Sequence, residues 1–138
     1  MSNISVCGLS CHKSFVKLIL WNTMNACSKP TKEMIPASET AAMVTKAGRR
    51  AVTCPVDVTT DNDQAKLVSL AVSELGGLHG WVGRAGIGAG FGVLEDTREA
   101  WRKVMDVNVE GLLFGAQEAA RHMAQNGGGS NVTIASMY

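Results

Sequence analysis

Apolar positions from residue 38 onward follow two rhythms, short continuous runs and rows spaced three and four apart. A row over 38–47 predicts a helix, with Ser38 as N-cap, Glu39 in the first turn and Gly48 beyond the last. The run AVTCPV at 51–56 predicts a strand that Asp57 closes, and TTDND at 59–63 has turn and cap chemistry. A second helix is predicted over 63–75, with Ala65, Leu67, Val68, Ala71 and Val72 on one stripe and Gly76-Gly77 as its stop. LHGWV at 78–82 predicts the next strand. A longer helix follows over 97–125, with Trp101, Val104, Met105, Asn108, Leu112, Gly115, Ala119 and Met123 on one face. Gly127-Gly-Gly129 ends it, and NVTIA at 131–135 predicts a third strand. Helices alternating strictly with short strands mean βαβ units and a parallel sheet. Ligands of such sheets bind at strand carboxyl ends, which fall here at 56–57, 82–86 and 135–136.

Residues 1–37 obey neither rhythm. They hold one apolar run, FVKLILW at 15–21, which reads equally as a strand or a buried helical turn. Pro30 and Pro36 argue against a long element between them. The run is too short to cross a bilayer, so no membrane association is expected. Lys13, the run and Asn25-Ala26-Cys27 faintly resemble a signal sequence, but Lys17 interrupts it, and export is not the expectation.

The stretch WVGRAGIGAGFG at 81–92 poses a chemical question, because five of its twelve residues are glycine. A dinucleotide-binding fingerprint needs glycines at i, i+2 and i+5. Gly86 and Gly88 would require glycine at 91, which is Phe, and Gly88 and Gly90 would require it at 93, which is Val. The stretch therefore fails as a phosphate cradle.

Composition narrows the classes. The 138 residues are one domain at most, and 46% hydrophobic with 18% charged residues is a globular balance. A net charge of +1 gives no electrostatic footprint for nucleic acid. Cysteines stand at 7, 11, 27 and 54; Cys7 and Cys11 are spaced C-x3-C with His12 adjacent, and no matching pair follows. No metal site is expected, and reduced cysteines in a cytoplasmic protein are the favoured reading.

Three segments in order carry a resemblance over residues 38–138: AVTCPVDVTTDNDQAKLV, VGRAGIGAGFGVLEDTREAWRKVMDVNVEG and GGGSNVTIASMY. They resemble the middle of a short-chain dehydrogenase/reductase, a family of NAD(P)-dependent oxidoreductases. The resemblance implies an α/β fold, an incomplete Rossmann-type doubly wound parallel sheet in three layers. It divides the chain into an unassigned segment 1–37 and a partial NAD(P)-binding domain 38–138. It implies hydride transfer between the nicotinamide of NAD or NADP and a small alcohol or ketone.

Site residues follow from the same resemblance. Asp57 and Val58 resemble the family's Asp-Val pair, whose carboxylate meets the adenine amino group; on the residues alone, Asp57 also reads as a turn or cap. Gly83, Ala85 and Gly86 match the backbone wall beside ribose and pyrophosphate. Both asparagines of that family segment are replaced, one by Gly83 and the other by the long cation Arg84. Asn108 falls on an apolar stripe, where a buried amide must find partners. It reads as an amide bonded to the helix backbone at a kink or, by resemblance, as the residue that holds a water in the proton relay. Ser136 matches the active-site serine, or else merely ends a strand. Tyr138 lies too close to Ser136 to be the family's catalytic tyrosine and reads as a loop aromatic.

Other family features have no counterpart. Residues 1–37 contain one glycine, Gly8, where the glycine-rich turn is expected, and no Tyr-x-x-x-Lys follows Ser136 within the 138 residues. Such domains run to about 250 residues. The expectation is a chain that does not turn over substrate by itself. The alternative is a non-catalytic fragment or interaction module associating with full-length relatives, with the helix over 97–125 as the surface for a homo-oligomer. Arg49 and Arg50 read as a solvated loop rather than as phosphate ligands.

Overall fold

The computed structural model describes residues 7–8, 10–12, 15–22, 37–88, 92 and 94–134. Strands β1 (Cys7–Gly8), β2 (Ser10–His12) and β3 (Phe15–Asn22) precede α1 (Ala37–Lys46) and β4 (Arg50–Pro55). Then come α2 (Asp61–Leu75), β5 (Gly80–Gly83), α3 (Arg98–Met105), a π-helical segment (Asp106–Glu110), α4 (Gly111–Gln125) and β6 (Ser130–Thr133). Ser136 and Tyr138 lie outside the described residues, as do Cys27 and the side chains of the C-x3-C pair.

Cap chemistry sets the helix ends. α1 closes in a Schellman motif: Gly48 sits at φ +73° and donates to the Thr45 carbonyl at 2.9 Å, while Arg49 donates to Val44 at 3.1 Å. The helix begins at Ala37, so Ser38 lies in its first turn instead of capping it. α2 starts two residues before the expected Asp63, with Thr60 in the cap position. The Asp63 carboxylate instead accepts from the Asp57 backbone N–H at 2.8 Å, bracing the loop that precedes the helix. Thr97 Oγ1 caps α3 by accepting from Ala100 N–H at 3.1 Å.

The run at 15–21 is a strand. β3 pairs in parallel with β4 from Lys17↔Arg50 to Asn22↔Pro55, and β5 pairs in parallel with β6 from Gly80↔Ser130 to Gly83↔Thr133. Ile134 N–H extends the second ladder to the Gly83 carbonyl at 2.8 Å. β2 lies antiparallel on β3 and β1 antiparallel on β5, so hydrogen bonding groups the strands as β2-β3-β4 and β1-β5-β6. The chain moves outward from β3 to β4, then back from β4 to β5. Crossovers of this kind are right-handed as a rule, which is how a doubly wound sheet comes to carry helices on both faces. α1 packs on β3 and β4, whereas α4 packs on β5, β6 and α2. The result is an incomplete Rossmann-type α/β sheet.

One apolar cluster fills the space between sheet and helices. Leu67, Val68, Ala71 and Leu75 of α2 meet Val56, Val58, Leu78 and Trp81 from the strands and their ends, with Ala119 and Met123 from α4. The α2 stripe differs from the expected one: Ala65 and Val72 face outward, and Gln64 and Leu75 face inward. The buried row is 64, 67, 68, 71, 75, and positions 65 and 72 each lie one residue, about 100°, around the helix from it. Trp101 is also exposed, at 55%. α3 packs mainly on its own continuation and buries no residue, so helical spacing there does not mark a core face.

Candidate functional site

The loops after β4 and β5 meet at the π-helical segment. A turn of five residues arises there because Gly111 N–H reaches back to the Asp106 carbonyl, i to i+5. The kink expected around Asn108 is this segment. Its amide clamps the loop after β5 from both sides: Nδ2 donates to the Ile87 carbonyl at 2.9 Å, and Oδ1 accepts from the Ile87 N–H at 2.8 Å. The half-buried amide thus has both its partners in one backbone residue.

The loop after β4 is held from the other side of the same segment. Asp57 Oδ1 accepts from Thr59 N–H at 2.9 Å and from Thr59 Oγ1 at 2.7 Å, an Asx-type turn that fixes an exposed carboxylate at the strand end. Both bonds fall on Oδ1. Val58 is buried with its side chain against Gly111, where an added Cβ would stand 2.8 Å from Cγ2 and 3.0 Å from the Val58 carbonyl. Its role in this arrangement is to support the turn from below.

Gln64 completes the connection, and the sequence reading passed it over. It is 5% exposed, and Nε2 donates to Val58 O at 2.7 Å and to Gly111 O at 2.9 Å. The signal was available: Gln64 heads the row that continues through Leu67, Val68, Ala71 and Leu75, as Asn108 stands on the stripe of the long helix. A polar side chain at a buried register asks for partners in either place.

On the β5 side, Gly83 and Ala85 are buried while Arg84 and Gly86 are exposed. A Cβ at Gly83 would press on Leu112 Cδ2 at 3.1 Å, so Leu112 takes up the room that a larger residue at 83 would need. Gly86 lies open beside the Asn108 clamp and Gly88 has nothing within 4 Å of an added Cβ. β6 ends level with Gly83, its Thr133 paired with that residue. The structure thus brings Asp57, Val58, Gly83, Ala85, Gly86 and Asn108 to one junction, and Ser136 falls outside the described residues. Among the described residues no cluster of His, Cys, Asp or Glu suits a metal ion, and no helix is long and apolar enough to cross a membrane. Cys54 is a free, buried thiol.

Comparisons with known proteins show the family and the fold. The family model for short chain dehydrogenase matches residues 25–138. The 2-dehydro-3-deoxy-D-gluconate 5-dehydrogenase of Escherichia coli (strain K12) is 33% identical over 105 residues, 75% of this chain and 42% of that protein. Among solved structures, a 7α-hydroxysteroid dehydrogenase complexed with NADH and 7-oxo glycochenodeoxycholic acid superposes with a TM-score of 0.66 at 30% identity. The match covers 73% of this chain and 39% of that one. A short-chain type dehydrogenase/reductase from Mycobacterium ulcerans gives a TM-score of 0.69 at 27% identity, covering 88% of this chain and 42% of that one. That coverage reaches into the N-terminal 37 residues. The chain spans less than half the length of the relatives it matches. With the family model matching most of its length, the chain belongs to the short chain dehydrogenase family.

Proposed function

We propose that these residues form the nucleotide-facing part of an NAD(P)-dependent oxidoreductase that moves hydride between nicotinamide and a small alcohol or ketone. The observation that carries the reading is the convergence of the Asp57–Val58 turn, the 83–88 loop and Asn108 on one helical junction. In this reading Asp57 Oδ2 accepts from the adenine amino group, and the open backbone at Gly83, Ala85 and Gly86 lies along the ribose. Asn108 spends its side chain on Ile87, so a relay water would be held by backbone of the π segment instead. Ser136 would donate to the substrate oxygen. The buried free thiol of Cys54 favours a reducing compartment, in keeping with a cytoplasmic protein.

The adenosine half of the cofactor fits the residues present; the pyrophosphate does not. A pyrophosphate needs a helix N-terminus following a parallel strand. On the side of β5 away from β6 the neighbouring strand is β1, which runs antiparallel and delivers no such terminus among the described residues. Residues 1–37 hold only one glycine, Gly8, for the turn that would cradle the pyrophosphate. The nicotinamide would supply the hydride acceptor or donor when bound. The tyrosine–lysine pair expected by resemblance is not among these 138 residues either, so the residues by themselves are proposed not to turn over substrate.

A fluorescence titration tests the reading. NADH is expected to bind the chain with a Kd of about 1 mM, a level that adenosine contacts alone can supply. Asp57→Asn keeps the shape but weakens the acceptor and is expected to weaken binding further. Absence of any NADH or NADPH binding at millimolar concentration would remove the oxidoreductase reading for these residues.

A second reading, an interaction module, is favoured by one observation. Val109 and Leu113 are exposed along the outer side of the long helix, Leu113 at 60%, with exposed Trp101 a further two turns back. Exposed apolar rows of this kind drive association. Size exclusion is expected to show a discrete dimer, and Leu113→Glu a monomer. A monomeric parent chain would defeat this reading.

A further inference from the structure

We infer that Gln64 is a positioning residue that makes the two loops of the nucleotide crevice order together. The inference rests on the reading of the strand ends as that crevice. Its physical basis is an unbroken path of bonds. The Asp57 carboxylate fixes Thr59, and Val58 between them is held by Gln64 Nε2 at 2.7 Å. The same amide nitrogen holds Gly111 O at 2.9 Å. Gly111 N–H closes the π turn on Asp106, and Asn108 inside that turn exchanges two bonds with Ile87.

Two features make this more than an amide that satisfies two carbonyls. An –NH2 has two hydrogens, and here each goes to a different structural unit, one to the loop after β4 and one to the helical junction. The packing also leaves no slack between those units, since Gly111 meets Val58 so closely that a Cβ would collide. If the Asp57 turn shifts, Gln64 can follow Val58 or Gly111 but not both. Either choice disturbs the segment that carries Asn108. Asn108 is the only described side chain that hydrogen-bonds Ile87, so the disturbance reaches the 83–88 loop.

Amide hydrogen exchange on the whole chain tests the coupling. Gln64→Met keeps the length of the side chain and removes the donors. Val68→Ala, on the same buried row, destabilises the core and removes no hydrogen bond of the path. After correction for global stability, Gln64→Met is expected to lower protection of Ile87 N–H and Thr59 N–H by roughly fivefold or more, and Val68→Ala to leave both unchanged. NADH affinity should fall with Gln64→Met and stay constant with Val68→Ala.

Where Gln64→Met does not fold, Asn108→Ala asks the reciprocal question, since coupling acts equally in both directions. It is then Thr59 N–H, on the far loop, that should lose protection. Equal loss at Ile87 in Gln64→Met and Val68→Ala, or an unchanged Thr59 in Asn108→Ala, would overturn the inference. The exchange readout needs no nucleotide. A chain that shows coupled exchange yet never binds NADH would retain the coupling and lose the functional reading.

Discussion

Leu75→Ala is expected to cost this chain about 3–4 kcal/mol, the middle of the range for a buried leucine. Leu75 is 1% exposed and belongs to the last turn of α2, packed within the one apolar cluster of the described residues. Just beyond it α2 ends on Gly76, at φ 78°, with its N–H bonded to the Val72 carbonyl. That cap holds the helix end in place, so the backbone cannot settle into the space that alanine leaves. The lost transfer free energy and the cavity therefore add. Against a total of about 5–15 kcal/mol for a typical domain, the loss is large. A urea titration should show the midpoint fall while the slope stays constant. A drop under about 1 kcal/mol would mean that α2 is not seated on the sheet as described.

Gly111→Ala is the second large effect, and two opposed contributions decide it. Alanine in a helix gains up to about 1 kcal/mol over glycine. Here, however, its Cβ would stand 2.8 Å from Val58 Cγ2, 3.0 Å from the Val58 carbonyl and 3.1 Å from Val58 Cβ. Valine is stiff at χ1, and its carbonyl is already held by Gln64. Neither atom can yield cheaply, so overpacking of about 3 kcal/mol wins, for a net loss of about 2 kcal/mol. Gly88→Ala serves as the control, because an added Cβ there meets nothing within 4 Å. Thermal unfolding should separate the pair clearly, with Gly88→Ala within about 0.5 kcal/mol of the parent. Equal midpoints for both variants would show that the junction has room, and the tight link between the two loops would fail.

How far the fold could be read from sequence varied with the kind of force that shapes each part. α1, α2 and the long helix carry strong local signals, apolar rows closed by glycine, and they form within a residue or two of the expected bounds. β1 and β2 offered no such signal. They are two and three residues long and exist through pairing with β5 and β3, partners that local patterning does not reveal. Trp101 shows a different limit: amphipathic spacing marks a face, but it does not say where the sheet beneath that face stops.

The site divides in the same way. Asn108 was legible because an amide on an apolar stripe must be satisfied, and its clamp on Ile87 is that satisfaction. Gln64 obeys the same rule on α2 but was hidden by a stripe drawn one residue off, through Ala65 and Val72. Asp57 looked like either a turn residue or an adenine acceptor. In the structure it forms the turn with one carboxylate oxygen, and the adenine contact is the proposed role of the other.

The most direct measurement is a titration of the isotope-labelled chain with NADH, followed amide by amide by NMR. The account predicts shifts confined to residues 57–59, 83–88 and 108, weakly saturating and diminished in Asp57→Asn. Shifts clustered instead at the amino ends of β5 and β6, near His79 and Ser130, or no shifts at millimolar NADH, would contradict it.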